Sequence, residues 1–255
     1  MKRLLTALAL IPIVVYTVLF ANFWIFLAVV MAVACLCYRE YDAIATAYGF
    51  GAPGPLGFAA GLLMLVFEGE SWLLLTGIAL LVLALAMRAE DLAKALPRAS
   101  LLFIGVVYVF GSWKCALPLR ALNPHWLMYG LLVSWAGDIG AFYVGRKFGR
   151  HKMAPRVSPK KSWEGAAASV VTAIVLAGAY LLRFIPGVSV ASAIAVTAAA
   201  NVAGQLGDLA ESAMKRGANV KDSGTMLPGH GGFLDRVDST LFALPVIYAY
   251  LKLVG

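Results

Sequence analysis

Nine stretches of predominantly apolar residues follow one another along this chain, at about 4–20, 22–38, 51–67, 71–87, 100–117, 126–145, 164–183, 190–214 and 238–254. A helix needs roughly 17–25 such residues to cross a bilayer. Lipid offers the backbone no hydrogen bonds, so spanning segments must be helices or closed barrels. No alternating ten-residue pattern recurs to suggest a barrel. The sequence therefore predicts an all-α, polytopic membrane helix bundle of about nine transmembrane helices. Composition agrees: 62% of the 255 residues are hydrophobic and 13% charged, against about half and a quarter in soluble domains. A disordered, fibrous or disulfide-stapled secreted protein is excluded.

The first stretch follows Lys2 and Arg3 like a secretory signal, but Pro12 interrupts it and no small-x-small site precedes Asn22. It is expected to be retained as the first arm of a membrane hairpin. Nine crossings sort the loops into two sets. The amino terminus and the loops near 39–50, 88–99, 146–163 and 215–237 hold 17 of the 21 Lys and Arg, leaving Lys114, Arg120, Arg183 and Lys252 to the other set. That asymmetry predicts a cytoplasmic amino terminus and cytoplasmic large loops, as in a bacterial-type inner membrane. It also assigns the net charge of +8 to anionic lipid head groups rather than to nucleic acid. Cys35, Cys37 and Cys115 lie in apolar runs and form no CxxC pair, so free thiols are expected.

The chain reads as a single membrane domain, with residues 1–125 as a scaffold half and 126–255 as the catalytic half, where the unusual chemistry gathers. Asn201, Gln205, Asp208 and Ser212 are spaced four, three and four apart, which places them on one helical face. Glu211 lies beside them. A carboxylate inside a membrane segment costs about 2.5–3.5 kcal/mol or more, so this stripe implies a wet cavity, a partner charge or a metal, unless the helix frays into water at the interface. Asp138, between Gly137 and Gly140, is expected to face the bundle interior by the same reasoning, with a structural hydrogen bond as the plainer alternative.

Two cytoplasmic stretches complete the pattern. Residues 146–161 hold seven Lys and Arg and lead into Ser162-Trp163-Glu164-Gly165. Such loops are ordinary topology determinants. Yet Lys160 and Lys161 directly precede a helix start, whose free amides and dipole favour phosphate. The second stretch, Ser212 to Asp238, reads as a polyphosphate and metal site. Glycines at 224, 229, 231 and 232 admit close backbone approach. Asp235 and Asp238, three apart at a helix start, can offer carboxylates to a hard cation, and Lys215, Arg216, Lys221 and Arg236 supply positive charge.

Ser212-x-x-Lys215-Arg216, then Lys221-Asp222, Pro228-Gly229-His230-Gly231-Gly232 and Asp235-Arg236-x-Asp238 resemble the signature of the phosphatidate cytidylyltransferases, also called CDP-diacylglycerol synthases. Asp138-x-Gly140-Ala141, Gly145, Gly149 and Ser158-Pro159-x-Lys161-Ser162-Trp163-Glu164-Gly165 are similar to that family too. Ile139 stands where a small hydroxyl residue is common, and Phe142 where a tyrosine is. The resemblance implies that CTP and phosphatidic acid give CDP-diacylglycerol and pyrophosphate with Mg2+, within a homodimer surrounded by membrane lipids. It implies Asp208 and Asp235 as principal metal ligands, with Asp238 and Asp222 in support. Lys215, Arg216, Lys221 and Arg236 would hold phosphates beside Ser212 and Asp138, and Lys160, Lys161 and Ser162 would form a second phosphate set. The Gly229–Gly232 turn, including His230, would cradle the nucleotide. Acyl chains are expected to enter laterally between helices. A CTP-dependent lipid kinase of the polyprenol type and an ion-coupled transporter are the rival readings; the CDP-alcohol phosphotransferase motif D-G-x-x-A-R is absent.

Overall fold

The computed structural model describes residues 2–51, 54–69, 71–88, 91–226 and 231–254. Among these, nine helical runs follow in order: α1 (Lys2–Leu19), α2 (Phe23–Ala47), α3 (Gly54–Val66), α4 (Ser71–Ala86), α5 (Leu92–Leu122), α6 (Pro124–Phe148), α7 (Trp163–Phe184), α8 (Val190–Gly217) and α9 (Leu234–Val254). Each falls on one of the apolar stretches. Six of them, α2 and α5 to α9, are long and apolar enough to cross a membrane, whereas α3, α4 and the apolar part of α1, Leu10–Leu19, are shorter. Length and composition thus support six crossings where the sequence count expects nine.

Helix starts are written locally. Asn22, Asn123, Ser162 and Ser189 each accept a hydrogen bond from a backbone amide of the turn they open, at 2.9–3.2 Å, the usual role of these residues at an N-cap. Pro124 fills the first position of α6, where its missing amide costs nothing. Asn123 alone separates α5 from α6, so the chain turns there without a loop. Wider π-type turns interrupt α5 at Val106–Gly111 and α7 at Ile174–Gly178, and hydropathy predicts neither.

Between α6 and α7 the basic stretch folds as an antiparallel hairpin, β1 (Lys152–Ala154) and β2 (Ser158–Ser162), with Lys152 opposite Ser162 and Ala154 opposite Ser158. The sequence reading expected a plain basic loop here.

The helices after residue 125 pack together the more closely. α6 lies along α7, α8 lies along α9, and α6 also meets α8 and α9. Gly137 and Gly140 bring α6 against Asn201 of α8 and Ser169 and Thr172 of α7, leaving no room for a side chain. In the scaffold half, Tyr38, Tyr41 and Phe110 are fully or almost fully buried where α2 meets α5. Trp24, Trp72, Leu80 and Val171 point outward, each more than 55% exposed, as expected of lipid-facing residues.

Two of the basic residues outside the cytoplasmic set close helix ends. Lys114 donates to the carbonyls of Met64 (2.8 Å) and Phe67 (2.5 Å) at the end of α3. Arg120 donates to those of Val18 (2.8 Å) and Ala21 after α1, over the Phe26 ring at 4.4 Å. Unpaired carbonyls at helix C-termini need such partners, most of all in lipid. The three cysteines are free; Cys37 is buried and the others half-buried.

Candidate active site

Two cavities meet at Asp138 of α6, one among the helices after residue 125 and one between them and α1 and α2. The larger, about 640 Å³, is bordered by Lys152, Lys160 and Lys161 of the hairpin, Arg146 at the end of α6 and Asp208 of α8. Its remaining wall carries uncharged hydrogen-bonding groups: Ser134, Ser169, Asn201, Gln205 and Ser239. The stripe read from sequence is therefore a cavity wall at Asn201, Gln205 and Asp208. The second cavity, about 390 Å³, is a groove walled by Val14, Phe26, Val30, Leu127 and Leu131, with Asp138 and Arg236 as its charged lining residues. Asp138 lines both. It is exposed to these spaces despite its place within α6.

Around that junction the charges converge. Asp138, Asp208 and Asp238 lie within one another's electrostatic reach, and Lys161 and Arg236 offset Asp138. Lys161 Nζ sits 2.7 Å from Asp208 Oδ2, with side chains 25% and 31% exposed. Ser212 Oγ donates to Asp208 Oδ1 at 3.4 Å.

One turn along α8 a second ion cluster is sealed from solvent. Lys215 reaches Glu211, four residues earlier, and also Asp235 of α9. The side chains of Glu211, Asp235 and Lys215 are 0%, 6% and 10% exposed. The other oxygen of Asp235 accepts from the amides of Gly232 (2.8 Å) and Ser223 (3.0 Å). Asp235 thus ties three segments together: α8, the loop after it and the first turn of α9.

The remaining predicted residues are spread more widely. Lys160 is exposed on the hairpin, while Ser162 is buried and caps α7 through the Gly165 amide. The Trp163 amide donates to His151 O at 2.9 Å. Two amides at that helix start are therefore already spent, although Ser162 and Gly165 line the cavity beside the hairpin lysines. Arg216 is exposed and donates to Val220 O at 3.0 Å, closing the end of α8. Lys221 and Asp222 are exposed on the loop. Gly231 adopts φ +80° beside Asp235, a backbone conformation glycine favours. Gly229 and His230 lie outside the described residues. Asp208, Asp235 and Asp238 do not close on one point: among the described residues no three His, Cys, Asp or Glu side chains are gathered around a single ion position.

One member of this region comes from the scaffold half. Glu40 of α2 is 4% exposed. Its carboxylate accepts from Ser223 Oγ (2.9 Å), Phe233 N (3.0 Å) and Leu234 N (2.8 Å). Side chains at Gly224 or Gly232 would collide with it. The close approach those glycines permit is, in this structure, to a protein carboxylate. The sequence held a signal for Glu40: an acid continuing an apolar segment, in the sequence Cys37-Tyr38-Arg39-Glu40. The apolar run ends at residue 38, which puts this position in the loop near 39–50, whereas α2 continues to Ala47.

The family model described as the cytidylyltransferase family matches residues 1–254. The chain belongs to the cytidylyltransferase family. Similar proteins include the phosphatidate cytidylyltransferase of Bacillus subtilis, 40% identical over 153 residues, which are 59% of this chain and 57% of that protein. That of Haemophilus influenzae is 35% identical over 199 residues, 74% of this chain and 68% of the relative. That of Staphylococcus haemolyticus is 37% identical over 157 residues, 62% and 58% of the two chains. The chain thus spans somewhat more than half the length of the Bacillus and Staphylococcus relatives it matches. In this cytidylyltransferase family member the hairpin lysines, Asp208 and Asp138 line the larger cavity and Asp138 and Arg236 the groove, Asp238 lies within electrostatic reach of Asp208 and Asp138, and Asp235 and Lys215 tie the start of α9 to α8.

Proposed function

We propose that this protein is a membrane phosphatidate cytidylyltransferase, making CDP-diacylglycerol and pyrophosphate from CTP and phosphatidic acid. The observation that carries the reading is Asp138, which lines at once a polar cavity edged with lysines and an apolar groove ending at Arg236. Such a pair of spaces suits two substrates of opposite character that must react where the spaces touch. Lys160 and Lys161, with Lys152 and Arg146, hold the triphosphate of CTP, because phosphate oxygens favour charged donors. Arg236 holds the lipid phosphate, and the groove takes acyl chain from the bilayer side.

An oxygen of the phosphatidate, already anionic, attacks the α-phosphorus of CTP. The new P–O bond forms as the bond to the β-phosphate breaks, and pyrophosphate leaves with that electron pair. No general base is required, so the chain's task is positioning and charge compensation. Lys161 is paired with Asp208 and half-open to the cavity, so it can exchange that partner for an incoming phosphate.

The donor set fits a divalent cation: Asp138, Asp208 and Asp238 are hard oxygen ligands whose mutual repulsion a cation relieves. Asp208 and Asp238 would hold Mg2+, although among the described residues no third acidic side chain closes on the same point. When bound, the ion supplies positive charge to the triphosphate and the departing pyrophosphate. The amino terminus and the hairpin face the cytoplasm, where CTP is found, α1, α3 and α4 lie in the membrane with the six longer helices, and the protein works as a homodimer.

The deciding experiment incubates purified protein with labelled CTP, phosphatidic acid vesicles and Mg2+. Label in a cytidine-bearing lipid with equimolar pyrophosphate is expected. Transfer of the γ-phosphate to lipid would indicate a lipid kinase instead, and solute flux without CTP consumption a transporter.

A further inference from the structure

Glu40 is a buried carboxylate that meets no lysine or arginine among the described residues. Its negative charge is matched by one hydroxyl and two backbone amides at the start of α9, where the helix dipole favours an anion. Its partner Ser223 lies 183 positions away in the chain. Ser223 also accepts from the Asp235 amide at 3.3 Å and gives its own amide to Asp235 Oδ2 at 3.0 Å. The chain of contacts therefore runs from α2 through Ser223 to Asp235 and on to Lys215 of α8. Arg236, which lines the apolar groove, and Asp238, within electrostatic reach of Asp208 and Asp138, follow on the same helical turn.

We infer that Glu40 is a positioning residue for the reaction: it fixes the first turn of α9, and with it the stations of Arg236 and Asp238, while touching neither substrate. This rests on the function proposed above. It also gives the scaffold half a direct part in the site. The two glycines that pack on Glu40, Gly224 and Gly232, belong to the segment that carries the family signature, so their small size serves this contact.

Hydrogen–deuterium exchange of the detergent-purified full chain reads the positioning directly, independent of turnover. In Glu40→Ala, amides of residues 231–236 are expected to exchange at least about tenfold faster, with α6 and α7 unchanged. In the same preparation, kcat for cytidylyl transfer should fall about tenfold or more and KM for phosphatidic acid should rise, whereas a purely structural residue would reduce the folded yield and leave the constants of the folded fraction unaltered. Glu40→Gln keeps one acceptor oxygen and should fall between Ala and the parent. Ser223→Ala removes one of the three bonds, and its kinetic effect should be less than additive with that of Glu40→Ala. If Glu40→Ala does not fold, the Gln and Ser223→Ala variants carry the same test. Parental exchange at 231–236, or raised exchange with parental kcat and KM, overturns the inference. A parent protein that transfers no cytidylyl group would remove the proposed reaction, yet the exchange result would still judge whether Glu40 holds α9.

Discussion

Two lysine–carboxylate clusters lie in the half of the chain after residue 125, and their settings have little in common. Lys161 and Asp208 join the hairpin to α8 at a cavity wall, each about a quarter to a third exposed. Lys215, Glu211 and Asp235 join α8 to α9 almost without solvent. In the first pair, water screens the attraction and either partner can exchange for a ligand. In the second, desolvation binds the fate of each charge to the others. One cluster is therefore suited to chemistry and the other to architecture, although sequence spacing alone makes Asp208 and Asp235 look equivalent.

The strongest attempt to break this distinction is Lys215→Met. It leaves Glu211 and Asp235 buried without a counter-charge, and should destabilise the protein by about 3–5 kcal/mol, seen as loss of monodisperse protein or a large fall in Tm in detergent. Asp208→Asn is the converse case. Cytidylyl transfer should drop about a hundredfold or more while stability changes by no more than about 1 kcal/mol; a fall in Tm as large as that of Lys215→Met would erase the contrast between the clusters. Lys161→Ala should raise KM for CTP about tenfold, the worth of a charge-assisted hydrogen bond, and leave KM for phosphatidic acid near the parental value. Equal changes in both constants would mean the cavities do not sort the substrates. Val33→Phe, which intrudes on the apolar groove, should raise KM for long-chain phosphatidic acid a few-fold without affecting CTP. The smallest effect is expected from His151→Ala: its 2.6 Å contact to Glu164 lies at the surface, and neither Tm nor turnover should change measurably.

How much of this was legible beforehand varies with the kind of force involved. Apolar runs are long-range signals averaged over many residues, so all nine helical runs could be placed from them. Lengths are harder: α2 continues through Arg39, Glu40 and Asp42, with tertiary partners receiving the carboxylates of Glu40 and Asp42, which hydropathy alone does not register. The hairpin escaped notice since Ser158-Pro159-Lys160-Lys161-Ser162 carries no apolar alternation. Asp138 and Asp208 announced themselves by the cost of an acid among lipid-facing residues, and both line a cavity. The Glu211–Lys215 contact was implicit in a four-residue spacing, but its closure by Asp235, twenty positions on, depends on how α8 and α9 pack. Glu40 required the same knowledge across most of the chain.

Helix α3 has a consequence for the lipid around it. Thirteen residues rise only about 20 Å, well short of a hydrocarbon layer about 30 Å deep, while the neighbouring α5 runs for 31 residues. The Lys114 ammonium closes the carbonyls where the short helix stops. A protein with so uneven a rim must thin the adjacent leaflets or draw shorter acyl chains to that side, at a cost of a fraction of a kcal/mol per ångström. The lipid beside α3 is thus expected to be selected by the protein's own outline, and bilayers of graded thickness are the measurement that checks it.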